Sequence, residues 1–347
     1  MADRVLSGRE LNRAVLARQL LLERSRLSLP KALERIGGIQ AQYAPSMYIG
    51  LWSRLQGFER EALTRALQRR TVVQATLMRA TIHLVSARDY WPFELAVAPT
   101  RREMWLAYGQ RAAATTAREM AGLSRTVEAR MRGRELTRKE IQEITGDAMR
   151  TNGVGMWIDL VRAPPSGTWE RRRADLYALA EDWIGPPDVD PDAAVERVVR
   201  AYLTAFGPAA PAEIADWAGL KAGALPPVLK GLALRRFRTG DGGELVDLPR
   251  LPLPDPKAPA PARFLPTWDA ILLVHCRRAQ ILPEEFRSRV FSTKTPQSVP
   301  TFLVDGQVAG KWRYEQGRVK VDPFRKLTKT ERREVEAEAK RLAAFHA

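Results

Sequence analysis

Val72-Val73-Gln74-Ala75-Thr76-Leu77-Met78-Arg79-Ala80-Thr81-Ile82-His83-Leu84-Val85 is rich in β-branched residues. Such residues favour a pleated, half-buried surface, and the stretch reads as a strand pair or hairpin. What precedes it reads as helix. Ser7 and Glu10 stand at capping-box spacing, and Leu11, Val15, Leu16, Leu20 and Leu22 follow at roughly helical spacing. Ser28 and Pro30 open a second helix near residues 30–36 that stops at Gly37-Gly38. Residues 47–55 and 59–68 read as two more. Helices followed by a hairpin are the recipe of a winged helix.

The recipe recurs twice. Around Leu136-Thr137-Arg138-Lys139-Glu140 a capping box starts a short helix ending at Gly146; a further helix is expected over 156–161 and the start of a wing over 168–173. The third copy has a helix over 193–205, then Pro211 to Ala218 broken by Gly219, then a helix over 225–232. Strands over 234–237 and 244–248 flank Gly240-Asp241-Gly242-Gly243, a hairpin turn signal. Residues 249–261 carry Pro252, Pro254, Pro256 and Pro259 and read as a stiff linker, the best domain boundary in the chain. Beyond it, 264–275, 279–282, 301–304, 307–312 and 318–321 read as strands, and 328–345 as a charged helix.

The 347 residues are 45% hydrophobic with 9 Trp, which suits packed cores rather than disorder. A formal charge of +16 is the electrostatic footprint of a nucleic-acid binder. Cys276 is the single cysteine, so no intrachain disulfide forms, and with only His83, His275 and His346 beside it no spaced metal-ligand pattern exists. Leu20-Leu21-Leu22 is flanked by charges, and no run reaches the ~18 apolar residues of a membrane span. A soluble, cytoplasmic, nucleoid-associated monomer without metal or cofactor is expected.

Gly37-Gly38-Ile39-Gln40-Ala41-Gln42-Tyr43-Ala44-Pro45 holds two glutamines one residue apart. The glycine pair and the proline disfavour a long helix here. In an extended segment, i and i+2 share a face, so two neutral amides would project side by side and could hold a water, a phosphate or a base edge. Alternatively both cap surface turns. The helix in the third unit's recognition position has only Lys221 and Lys230 near its ends, so it lacks the side chains that read a major groove. That points to placement through phosphates, with Arg125, Arg130, Arg132, Arg134, Arg138 and the run His275-Cys276-Arg277-Arg278 as candidate contacts. Hydrolase elbows, phosphate-cradling loops and His-Glu-x-x-His are all lacking. Gly153-Val154-Gly155 is a weak phosphate signal, and Met104-Trp105 reads as core.

The chain resembles the AlkZ/YcaQ-type winged-helix DNA glycosylases over essentially its whole length. The carriers are 6–13, Ile39-Gln40-Ala41-Gln42 with 50–55, Arg79 to Val85, Phe264 to Asp269, and Val304 to Trp312. The resemblance implies an α+β fold of three tandem winged-helix (helix-turn-helix plus β-wing) units at 1–95, 96–190 and 191–250, then a small β-barrel-like C-terminal domain with a final helix at 251–347. It implies that Gln40 and Gln42 are the catalytic pair of the Gln-x-Gln branch, and that His275, Arg277, Arg278, Arg79 and Arg54 contact DNA. The implied partner is double-stranded DNA carrying alkylated purines. The implied activity is monofunctional hydrolysis of the glycosidic bond of bulky or crosslinked N7-alkylguanine, in repair or in self-resistance to a genotoxic natural product. Cys276-Arg277 departs from the family, where an Asp-Arg pair is usual. A non-catalytic protein that binds DNA or shields the lesion or drug is the alternative.

Overall fold

The computed structural model describes residues 4–113, 115–272, 278–291 and 297–347. The first third holds β1 (Arg4–Leu6), α1 (Gly8–Arg18), α2 (Leu29–Ile36), β2 (Ile39–Gln40), α3 (Ala44–Arg54), α4 (Arg60–Gln68), β3 (Val72–Thr76) and β4 (Ile82–Ser86). Then come α5 (Ala87–Ala113), α6 (Ala117–Met131), β5 (Leu136–Thr137), α7 (Arg138–Thr145), α8 (Ala148–Val154), β6 (Leu160–Arg162), β7 (Leu176–Leu179) and α9 (Ala180–Ile184). α10 (Pro191–Phe206), α11 (Pro211–Ala218), α12 (Leu225–Gly231), β8 (Arg235–Thr239) and β9 (Glu244–Asp247) follow. The C-terminal part is β10 (Arg263–Leu265), α13 (Arg287–Val290), β11 (Thr301–Val304), β12 (Gln307–Glu315), β13 (Arg318–Pro323) and α14 (Lys329–His346).

Local chemistry sets many of the ends. Ser7 and Glu10 close a reciprocal capping box on α1, Thr137 and Glu140 do so on α7, and Thr328 and Glu331 on α14. Gly219 ends α11 in the left-handed region at φ 72, which a side chain adopts only under strain.

The hairpin of residues 72–85 forms, and it organises the centre of the molecule. Its strands belong to a six-stranded antiparallel sheet ordered β2-β4-β3-β6-β7-β5. The hairpins of the first two units are thus one sheet, joined where Gln74 faces Arg162 and Ala75 faces Val161. That pairing overrides the expected helix over 156–161: α8 ends at Val154, and Leu160-Val161-Arg162 becomes strand because β3 offers it a partner. Residues 168–173 lie in the connection to β7 instead of starting a wing. α5 runs unbroken across 95/96, where a boundary is expected.

The third hairpin, β8-β9, forms as expected and gains β1 as a parallel third strand. A strand of three residues is invisible without its partner. The proline-rich run has no regular structure, yet it is not a free spacer: Arg9 Nε donates to the Pro256 carbonyl at 2.8 Å and Arg13 Nε to that of Ala258 at 2.7 Å. The C-terminal sheet β10-β11-β12-β13 is open, so no closed barrel forms among the described residues. The expected strand over 264–275 ends early because Asp269 folds the chain into turns, its carboxylate and carbonyl accepting from the amides of Ile271 and Leu272. Residues 279–282 are turns and bends.

Among the described residues two large apolar cores hold these layers, beside a smaller one within the second unit around Met120, Val127 and Ile141 and a minor one at Leu6, Phe237 and Leu245. The larger runs from Val15 and Leu16 through Val73 and Val85 to Phe93, Tyr202 and Trp217, so the helical units share it. The second joins Tyr48 and Leu51 of α3 to Phe264, Phe302 and Trp312 and to Leu342 of α14, sealing the C-terminal sheet against the first unit.

Candidate active site

Gly38, at φ 80, lets β2 approach β4; a Cβ there would lie 2.9 Å from Val85 Cγ1. Gln40 then pairs with His83 across the ladder, and the Ala41 amide donates to the Ile82 carbonyl at 2.7 Å. Beyond Ala41 the chain bends. Ile82 N–H donates to Gln42 Oε1 at 3.1 Å, and α3 begins at Ala44-Pro45. The extended segment is therefore too short to align the two amides on one face. Gln40 points inward, 3% exposed, whereas Gln42 is exposed.

Arg79 covers Gln40. Its Nη2 donates to Gln40 Oε1 at 3.3 Å and its Nη1 donates to the Trp217 carbonyl at the end of α11. Arg79 and Ala80 both sit in the left-handed region, at φ 53 and 55, a conformation that costs a side-chain residue about 1–2 kcal/mol. Burial lowers the Arg79 pKa to about 10. His83, opposite Gln40, is held near pKa 3 by burial and then by the Arg79 charge, so its ring is neutral and Nδ1 lies 3.0 Å from the Thr81 carbonyl. Gly219 permits this arrangement: a Cβ there would stand 3.1 Å from the Arg79 nitrogen.

Gln42 lines a cavity of about 430 Å³ between the first two units. Thr76 and Ile82 come from the hairpin, Glu94 and Trp105 from α5, and Arg138, Arg162 and Tyr177 from the second unit. Arg162, 8% exposed, donates to Thr76 Oγ1 at 3.0 Å, its guanidinium lies 5.4 Å from the Tyr177 ring, and its Nε is buried without a partner among the described residues. Glu94 grips Arg101, which reaches the Gly155 carbonyl at 3.2 Å and so ties the units at the cavity wall. The site presents a carboxamide, a carboxylate and guanidinium groups around a space large enough for water and a substituted sugar or base.

The other expected contacts divide. Arg54 is 2% exposed and clasps Asp269 with bonds of 2.8 and 2.9 Å, while also donating to Gln19 and Gly50. Arg278 is buried against the Ala270 carbonyl and the Tyr202 hydroxyl, over the Phe206 ring. Both guanidiniums are enclosed by protein partners, so neither presents a free face to a phosphate in this structure. His275, Cys276 and Arg277 lie outside the described residues. Arg125 and Arg130 are exposed on α6, whereas Arg132 pairs with Glu128 and Glu181 and Arg134 with Glu140. Glu94 and Arg162 carry no motif; α5 brings the first and the β3–β6 pairing the second to the cavity that Gln42 lines. Gly153 serves packing: a Cβ there would lie 2.4 Å from the Trp105 ring.

Fold and site define a basic α+β protein with a polar cavity built on a shared central sheet. The family model described as DNA glycosylase AlkZ-like matches residues 33–345, so the chain belongs to the AlkZ-like DNA glycosylase family. Its enzyme class is DNA glycosylase, a hydrolase acting on N-glycosyl bonds. Among curated proteins, the interstrand DNA cross-link repair glycosylase of Streptomyces sahachiroi is 25% identical over 355 residues, covering 94% of this chain and 93% of that protein. The solved structure of the Streptomyces sahachiroi DNA glycosylase AlkZ shares the fold, with a TM-score of 0.84 at 24% identity over 99% of this chain and 98% of that one.

Proposed function

We propose that this enzyme is a monofunctional DNA glycosylase for bulky or crosslinked N7-alkylguanine in double-stranded DNA. It would release the base by hydrolysis and leave an abasic site, in repair or in self-resistance to a genotoxic product. The observation that carries the reading is the exposed Gln42 carboxamide on the wall of the 430 Å³ cavity, two residues beyond Gln40, the first glutamine of the Gln-x-Gln pair. We read the helices and hairpins of 1–95, 96–190 and 191–250 as winged helices that carry DNA to it, with residues 251–347 as a buttress.

The chemistry suits neutral amides. An N7-alkylated guanine is a cation, so its glycosidic bond breaks toward an oxocarbenium-like sugar without a strong acid. A carboxamide oxygen stabilises that developing charge, and the same group orients the attacking water. Among the described residues the cavity walls carry no lysine, which fits hydrolysis without a Schiff base. A cavity shared between two units accepts substituents that a close-fitting flipped-base pocket refuses. Crosslinks enter the proposal through the name of the Streptomyces relative. Both amides act together only if Arg79 withdraws from Gln40, and DNA phosphates offer it a counter-charge.

The test is abasic-site formation on duplex DNA carrying a single N7-alkylguanine. The enzyme should release the base, and Gln42→Ala should not. If the folded wild type releases none while another glycosylase does so on the same duplex, the proposal is wrong.

A further inference from the structure

A second cavity, of about 350 Å³, opens on the other side of the catalytic loop. Gln42 lines the polar cavity and the next residue, Tyr43, lines this one. Its character is different. Trp169, Trp312, Tyr314 and His346 join Tyr43 as aromatic walls, and Arg172 and Arg313 are its charged members, Arg313 pairing with Glu315 outside the lining; no carboxylate lines it among the described residues. Tyr314 stacks on His346 with centroids 4.1 Å apart and planes 13° from parallel, while Trp169 meets the same imidazole edge-on at 5.3 Å. Arg172 fixes Tyr43 through its hydroxyl at 3.1 Å.

These aromatics are not all spent on packing. Tyr43 is 42% exposed and Tyr314 37% exposed, and both face this one cavity. Exposed aromatic side chains that converge on a concave site mark ligand recognition. His346 adds a polar point: its Nε2 is buried without a partner among the described residues. Burial, with the nearby Arg60 and Arg172, lowers its pKa to about 4, so the imidazole that lines the cavity is neutral. Guanidinium planes themselves stack on aromatic faces. Ser46 Oγ in the same lining is likewise buried without a partner among the described residues, so the set suits a flat, largely apolar ring system with one or two hydrogen-bonding groups.

We propose that this aromatic cavity is a subsite for a planar aromatic substituent carried by the alkylated base. The inference rests on the glycosylase reading. Gln42 and Tyr43 are neighbours in the chain, so in this proposal a lesion seated across their loop presents its glycosidic bond to Gln42 and its aromatic arm to Tyr43. The arm then contributes binding that a methyl adduct lacks, and selects aromatic lesions.

Two duplexes test it, identical but for N7-methylguanine or the fluorescent N7-(9-anthracenylmethyl)guanine at one position. Base release under single-turnover conditions should favour the anthracenyl adduct. Tyr314→Ala should lower release of that adduct by about 10-fold, the order set by losing one stacking face, while methyl-adduct release stays within about twofold. Tyr314→Phe should restore the preference. Anthracene emission, followed with the Gln42→Ala protein, should shift on binding and lose that shift when Tyr314→Ala is added. Equal losses on both duplexes would reassign the cavity to undamaged DNA, and no change on either would empty it of function; each overturns the subsite. A wild type that shifts the emission yet releases neither base keeps the subsite and defeats the glycosylase reading instead.

Discussion

Arg79 Nη2 stands 3.3 Å from Gln40 Oε1, and through its Nη1 the same guanidinium holds the carbonyl of Trp217. One cation on a strained backbone thus joins the Gln40 amide to the end of α11. Left-handed backbone at a side-chain residue persists only where the surroundings enforce it, and such strain gathers at functional sites. Gly219 supplies the clearance.

If Arg79 leaves Gln40 for a phosphate when DNA binds, Arg79→Ala weakens binding. The slope of log affinity against log salt then falls in magnitude by about 1, and single-turnover release slows. Arg79→Gly makes the same contacts unavailable but relieves the φ of 53, so it should unfold at a higher temperature than Arg79→Ala. A salt slope equal to that of the wild type would leave Arg79 as an internal strut.

The two glutamines should separate in stability though not in activity. Gln42→Ala, at an exposed position, is expected to change unfolding free energy by less than about 0.5 kcal/mol while cutting base release by about 100-fold. Gln40→Ala should cut release as far and cost about 1 kcal/mol more, because an Arg79 donor loses its acceptor. Urea titrations beside single-turnover assays measure both, and a fully active Gln42→Ala protein contradicts the site.

His83 makes the fold acid-sensitive. Its pKa falls from 6.5 to about 3 in the folded chain through burial and then the Arg79 charge. Between those values the unfolded chain binds a proton that the folded chain refuses. The contribution is therefore fully present above pH 6.5 and is lost as pH drops toward 3. Urea midpoints at pH 7 and pH 5 should differ less for His83→Gln than for wild type, and an identical drop would assign the acid sensitivity elsewhere.

Arg54 and Asp269 clasp each other inside the protein, 215 residues apart in sequence. Arg54→Ala should cost about 3–5 kcal/mol by stranding a buried carboxylate, whereas Arg54→Met with Asp269→Leu should cost less than either single change. DNA affinity per folded molecule should stay near wild type. A large fall in affinity with stability intact would restore Arg54 as a DNA contact.

Local signals in the sequence determined the helix starts at Ser7 and Thr137, the hairpin of residues 72–85 and the Gly240–Gly243 turn, because caps, β-branched runs and glycine turns act over a few residues. The basic charge and the Gln-x-Gln motif were likewise legible there. Only the tertiary structure decided that Leu160-Val161-Arg162 is strand, since β3 had to be present to pair with it. It alone distinguished Arg54, enclosed by Asp269, from Arg79, poised over Gln40. It also set the two glutamines on different paths. Period-two alternation holds only while the backbone stays extended, and the bend after Ala41, where Gln42 accepts the Ile82 amide, comes from a neighbouring strand that the local sequence does not contain.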